Sequence, residues 1–234
     1  MPPLPVVLAA RDESPQRARP DPGPAASGLA GGGARGTGPP EVSPGPRLGI
    51  LGGTFDPPHE GHLEMARLAR DLVALDRVLW VPVLSPSHKS EATASFEDRL
   101  RMTELAVEGE PAMEASDVES RLGLPSYTVD LLAEVGRQAG SRARLFFIVG
   151  ADSLEQFHLW VEFREILRMA TLVVVSRPGH DFANPVLTPE DWARVILLPG
   201  LASPASSSRF RQSGDGLVPP RVLHYIAARD LYRR

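Results

Sequence analysis

From Arg47 onward, short apolar runs alternate with stretches whose apolar residues recur every three or four positions. The first run, 47–51, stops at Gly52-Gly53 and reads as a strand. In 61–72, Leu63, Ala66 and Ala69 share a stripe that continues to Val73, which predicts a helix. A second strand is expected over 78–84, and Ser95-Phe-Glu-Asp98 resembles a capping box opening a helix to about Val107. Residues 112–116 read as a further strand. Ser126 is placed to cap a helix to about Gln138, with Gly140 just past its end. The pattern continues as a buried strand over 145–149, a helix near 160–168 and strands over 171–176 and Val195–Leu198. Helices near 207–212 and 219–228 close the chain. Strands alternating with helices predict an α/β fold, a Rossmann-like parallel sheet flanked by helices on both faces. Ligands of such sheets bind beyond the carboxyl ends of the strands, so chemistry is expected in the loops that follow them.

Residues 1–46 are a different material. They hold 11 of the 24 prolines and 8 of the 21 glycines, with few large apolar groups to offset the entropy of ordering. The segment reads as a disordered extension before a single domain over 47–234. It does not read as a secretory signal, because no basic residue precedes the short run Val6-Val7-Leu8-Ala9-Ala10. Its charges balance: Arg11, Arg17, Arg19 and Arg35 against Asp12, Glu13, Asp21 and Glu41. That makes it a poor tether for nucleic acid. The whole chain carries a formal charge of -4 and no cysteine, which excludes a disulfide framework, thiolate metal sites and a cysteine nucleophile. No apolar run approaches the roughly 18–20 residues that span a bilayer. Neither a nucleic acid nor a membrane is expected as a partner, and the expected location is cytoplasmic.

The first loop carries the sharpest chemical signal: Gly52-Gly-Thr-Phe-Asp-Pro-Pro-His-Glu-Gly-His62. Two glycines permit close backbone approach, and Pro57 and Pro58 stiffen the turn. His59 and His62 lie three apart at a helix start, where N–H groups and the dipole suit a phosphate. Taken alone, these residues leave open a tight turn with two surface histidines. The spacing is not that of a zinc-binding H-E-x-x-H helix, a Walker loop or a G-x-G-x-x-G fingerprint, and no metal site is expected.

Gly53-Thr-Phe-Asp-Pro-x-His-x-Gly-His62 resembles the signature of the HxGH nucleotidylyltransferases, and within them the longer resemblance is to the bacterial nicotinate-nucleotide adenylyltransferases. It continues through Pro86-Ser-His-Lys89, Arg99-x-x-Met102, Pro125-Ser-Tyr-Thr128, Phe147-Ile-Val-Gly-Ala-Asp-Ser153, Trp160, Arg177-Pro-Gly179 and Ser206-Ser-Ser-x-x-Arg211. Ala205 stands where the family has a larger apolar residue, and 180–194 match loosely.

The resemblance implies adenylyl transfer from ATP to nicotinate mononucleotide, giving deamido-NAD and pyrophosphate, with Mg²⁺ arriving on ATP. It places Gly52, Gly53, Thr54, Phe55, His59, His62, Gly150, Asp152, Arg177, Ser206, Ser207, Ser208 and Arg211 around ATP. His88, Lys89, Tyr127, Thr128 and Trp160 are placed around the mononucleotide. His59, His62, Lys89 and Arg211 are the implied catalytic set. The nucleophile is already an anion, so a site of cations, imidazoles and N–H groups is implied rather than an acid/base carboxylate pair. The rivals are another adenylyl or cytidylyl transferase, such as the phosphopantetheine enzyme, and a non-catalytic nucleotide sensor on the same fold. Pro125–Thr128 and Trp160 favour the nicotinate enzyme over the former, and the intact His59, His62, Lys89 and Arg211 argue against the latter. A homo-oligomer is compatible with the sequence.

Overall fold

In the computed structural model, residues 6–7, 45–85, 93–176, 182, 184–198, 200 and 205–233 are described. The elements run β1 (Val6–Val7), β2 (Arg47–Gly53), α1 (Glu60–Val73), β3 (Arg77–Pro82), α2 (Phe96–Val107), β4 (Met113–Ala115) and α3 (Thr128–Ala139). They continue with β5 (Arg144–Gly150), α4 (Ala151–Gln156), α5 (Phe163–Met169), β6 (Ala170–Val175), α6 (Pro189–Trp192), β7 (Val195–Leu198), α7 (Ser207–Ser213) and α8 (Pro220–Ala228).

All pairings are parallel, in the order β1-β7-β6-β5-β2-β3-β4. The chain first builds outward from β2 through β3 to β4. It then returns to the other side of β2 and builds through β5, β6 and β7. The loops after β2 and β5 therefore diverge between two adjacent strands, the arrangement that opens a ligand crevice in a parallel sheet.

The runs of the central strands follow from burial on both faces. Ile50, Phe147, Val149, Leu172 and Val174 point to one side, under Leu131, Leu132 and Val135 of α3 and Ile166 and Leu167 of α5. Leu51, Ile148, Val173 and Val175 point to the other, with Leu63, Ala66, Ala69 and Val73 of α1. That is the stripe the sequence predicts for the first helix. A third core joins Met102 and Ala106 of α2 to Phe210 of α7 and to Val218, Val222 and Ile226. Ala205 is itself buried, so the smaller residue still faces the interior.

Three expectations need correction. Val6–Val7, inside the segment read as disordered, pairs with the outer edge of β7, whose backbone groups would otherwise lack partners. Pro46 accepts a hydrogen bond from the Arg144 N–H at 2.8 Å, so the sheet's bonding begins just before Arg47. Ser126 does not cap α3. Its hydroxyl donates to buried Glu119 at 2.5 Å, and Tyr127 is the N-cap, its N–H donating to Asp130 at 3.2 Å. The helix expected from Trp160 starts instead at Phe163, after Glu162 takes a left-handed conformation with φ of 52°. Ser95 caps α2 as expected, accepting from the Asp98 N–H at 3.1 Å, and Gly140 ends α3 with φ of 85°. Among the described residues, no helix is long and apolar enough to cross a membrane.

Candidate active site

A cavity of about 570 Å³ opens at the carboxyl ends of β2 and β5. That lies within the ~300–1,000 Å³ common for small-molecule sites. Its wall brings together stretches far apart in the chain. Gly52, Gly53, Thr54 and Phe55 come from the loop after β2, and His59 and His62 from the start of α1. Gly150 and Asp152 come from the end of β5 and the start of α4. Trp160 follows, and Ser206, Ser207, Ser208 and Arg211 come from the start of α7.

The two histidines form one unit. Their rings stack with centroids 3.7 Å apart and planes 18° from parallel. The His59 N–H donates to Nδ1 of His62 at 3.2 Å. An accepting Nδ1 puts the neutral ring's proton on Nε2, so His62 presents an N–H donor at that nitrogen. Phe55 fixes the ring from another side, edge-on at 5.0 Å, and itself stacks on Trp80 at 5.3 Å. Phe55 is buried with φ of 51°, a left-handed conformation that a bulky residue holds only when its surroundings enforce it. The glycine before this turn leaves no spare room: a Cβ on Gly53 would sit 3.0 Å from the Phe55 ring.

The second wall is tied to the first directly. The Ser207 hydroxyl donates to the Pro57 carbonyl at 2.8 Å. Arg211 donates to the Asp56 carbonyl at 2.5 Å and lies 3.6 Å from its carboxylate. Ser206 caps α7 by accepting from the Arg209 N–H, and Ser208 accepts from Arg211 at 3.4 Å. The motif near the start of the domain and the one near its end thus meet at one rim.

Trp160 reaches the cavity half-buried, held against Phe147 at 6.0 Å and Phe157 at 5.5 Å. Tyr127 and Thr128 are placed elsewhere; they start α3 and do not line this cavity. His88, Lys89 and Arg177 lie outside the described residues.

Three supporting residues escape sequence reasoning. The buried carboxylate of Asp56 accepts from the N–H groups of Thr93 (2.8 Å) and Ala94 (3.1 Å) and from the Tyr232 hydroxyl (2.7 Å). Arg99, also buried, donates to the carbonyls of Thr54 (2.9 Å), Val83 (2.7 Å), Leu84 (3.3 Å) and Ala94 (3.3 Å). It thereby ties the loop after β2 to the loop after β3. Burial pulls its guanidinium pKa down, and the nearby Asp56 charge opposes that shift. The sequence places Asp56 and Arg99 within motifs but assigns them no partner, because the partners lie up to 176 residues away.

A family model for cytidylyltransferase-like proteins matches residues 50–213. A Chromobacterium violaceum protein named "Probable nicotinate-nucleotide adenylyltransferase" is 38% identical over 211 residues, covering 80% of this chain and 99% of its own. A Corynebacterium kroppenstedtii protein of the same name is 40% identical over 193 residues, covering 80% and 91%. The chain belongs to the nicotinate-nucleotide adenylyltransferase family. The fold is shared with more distant proteins. The Plasmodium falciparum nicotinic acid mononucleotide adenylyltransferase complexed with NaAD superposes with a TM-score of 0.63 at 18% identity, over 80% of this chain and 97% of that one.

Proposed function

We propose that this cavity transfers the adenylyl group of ATP to nicotinate mononucleotide by direct in-line attack, as a step of NAD biosynthesis. One observation carries the reading: the His59/His62 pair and the Ser206–Arg211 turn line one cavity at the β2/β5 crevice. An anionic oxygen of the mononucleotide's 5′-phosphate attacks the α-phosphorus of ATP. A new P–O–P link forms as the bond to the β-phosphate oxygen breaks, and pyrophosphate departs with that electron pair. The nucleophile needs no deprotonation, so the protein's work is alignment and charge stabilisation.

His62 supplies the Nε2 N–H toward the phosphoryl group, with its tautomer set by the His59 backbone. Arg211, held by Asp56, supplies a fixed cation from the start of α7. Gly52 and Gly53 let the nucleotide approach the backbone, and Asp152 is placed to accept from ribose hydroxyls. Trp160 offers a ring face to the nicotinate. His88 and Lys89 serve the mononucleotide phosphate in this reading, and Arg177 serves ATP. Tyr127 and Thr128, which do not line the cavity, take no part in this reading.

Mg²⁺ would ride on the triphosphate. Among the described residues no group of three or more His, Asp or Glu stands ready to hold a metal. Asp56, the buried carboxylate in the wall, is already committed to Thr93, Ala94 and Tyr232. In this reading the ion would be bound mainly by phosphates and water, where it would supply charge neutralisation.

The test is pyrophosphate release with Mg·ATP or Mg·CTP and a panel of acceptors. Release with ATP and nicotinate mononucleotide is expected; release only with CTP or with a different acceptor would overturn the assignment. A second measurement addresses the ring. Trp160→Ala is expected to raise KM for the mononucleotide about tenfold while KM for ATP stays within twofold. An equal rise in both would assign Trp160 to packing against Phe147 and Phe157 instead.

A further inference from the structure

Tyr232 lies beyond α8, remote in sequence from every motif of the site. Its backbone takes a left-handed conformation, with φ of 63°, that an L-residue holds only under constraint. The constraint is visible. The ring packs edge-on against Phe210 of α7 at 6.1 Å, and the hydroxyl reaches 2.7 Å from Oδ1 of Asp56. Met102 adds a sulfur contact at 3.9 Å.

Asp56 is the junction. Its Oδ1 accepts from Tyr232 and from the Ala94 N–H, its Oδ2 accepts from the Thr93 N–H, and its carbonyl and carboxylate face Arg211. Four groups from three segments of chain therefore hold this one residue. Three of those holds come from backbone or from a half-buried arginine; the fourth is the phenol.

We propose that Tyr232 is a positioning residue for adenylyl transfer: its hydroxyl anchors Asp56, and Asp56, through its carbonyl and carboxylate, in turn holds the Arg211 guanidinium at the cavity wall. Burial and the bond to Asp56 push the phenol's pKa well up, so the hydroxyl remains a donor at any working pH. A fixed cation stabilises transferring phosphoryl charge only if it is already in place when the charge develops. Arg211 donates to the Asp56 carbonyl and faces its Oδ2 at 3.6 Å, so any shift of Asp56 moves both anchors and costs the guanidinium that advantage, although its charge is unchanged. The proposal rests on the assignment of Arg211 to the ATP phosphates.

The experiment is a double-mutant cycle on kcat/KM for ATP, with Tyr232→Phe, Arg211→Met and the pair. Tyr232→Phe keeps the ring against Phe210 and removes only the donor. It is expected to lower kcat/KM for ATP roughly tenfold, as fits loss of a hydrogen bond to a charged group, with KM for nicotinate mononucleotide within twofold. In the Arg211→Met background the same change is expected to do less than about twofold further harm, because coupled residues are not additive. Full loss in both backgrounds would overturn the proposal, since a general structural role is additive. So would an unchanged kcat/KM in Tyr232→Phe. A melting temperature for Tyr232→Phe below the assay temperature would overturn it too, by making the hydroxyl a requirement of the fold. If Arg211→Met alone leaves kcat/KM intact, it is the assignment of Arg211 that fails.

Discussion

Replacing His62 with alanine is expected to lower kcat by about a hundredfold or more, the size seen when one donor to developing charge is removed. The protein should remain folded. His62 is only half-buried and sits in the first turn of a 14-residue helix whose buried stripe begins at Leu63. The ring does little for the core, but its geometry is heavily determined. The His59 N–H holds Nδ1, the His59 ring stacks on one face and Phe55 meets it edge-on. Such restraint is what preorganisation requires, because a donor aligned beforehand needs no reorientation as the charge develops. If the ring acts chiefly in the transition state, kcat and kcat/KM for ATP fall together while KM moves little. Steady-state pyrophosphate release, with a melting curve on the same sample, checks both halves. A normal rate would reduce His62 to a helix-start residue.

Arg99→Met should be strongly destabilising, by about 3–5 kcal/mol, because several carbonyls lose a charged donor at once. The four carbonyls of Thr54, Val83, Leu84 and Ala94 would lose a shared donor in a place where water does not readily replace it. Each unsatisfied buried acceptor costs about 1–3 kcal/mol. Asp56 would also lose a nearby positive charge. For a domain of this size the melting temperature should drop by roughly 10 °C. Arg99→Lys should recover only part of that, since one ammonium cannot span carbonyls arranged around a planar fork. Urea denaturation of the three proteins is the measurement; a loss under 1 kcal/mol in Arg99→Met would mean the carbonyls find other donors.

The readable part of the fold is the part whose causes are local or periodic. The strands β5, β6 and β7 announce themselves because burial on both faces demands uninterrupted apolar runs. The helix α1 does so because its buried stripe follows the helical repeat. Tertiary contacts override local signals elsewhere. Trp160 looks like the start of a helix, yet it is drawn toward Phe147 and Phe157, and the helix begins three residues later. Ser126 looks like a cap, yet a buried carboxylate takes its hydroxyl. The four-residue helix α6 is too short to have a period. The motifs carry the cavity's histidines, serines and Arg211, because those residues share spacing with a known signature. The network behind them is silent in sequence: nothing about Tyr232 signals a bond to Asp56, since only the closed fold makes them neighbours.

The helices α2, α7 and α8 share a core of their own, apart from the two that clamp the sheet. Regions with separate cores open as separate cooperative units, so amide hydrogen exchange in this protein should show two tiers. The β2 and β5 amides would exchange only on global unfolding, while those of α7 would open at lower free energy. Each such opening strips the serine–arginine side from the crevice and leaves the imidazoles in place on the sheet. Saturating nucleotide bridges both tiers. At about a hundred times its Kd it should slow α7 exchange by roughly a hundredfold, the linkage expected when a ligand binds only the closed form.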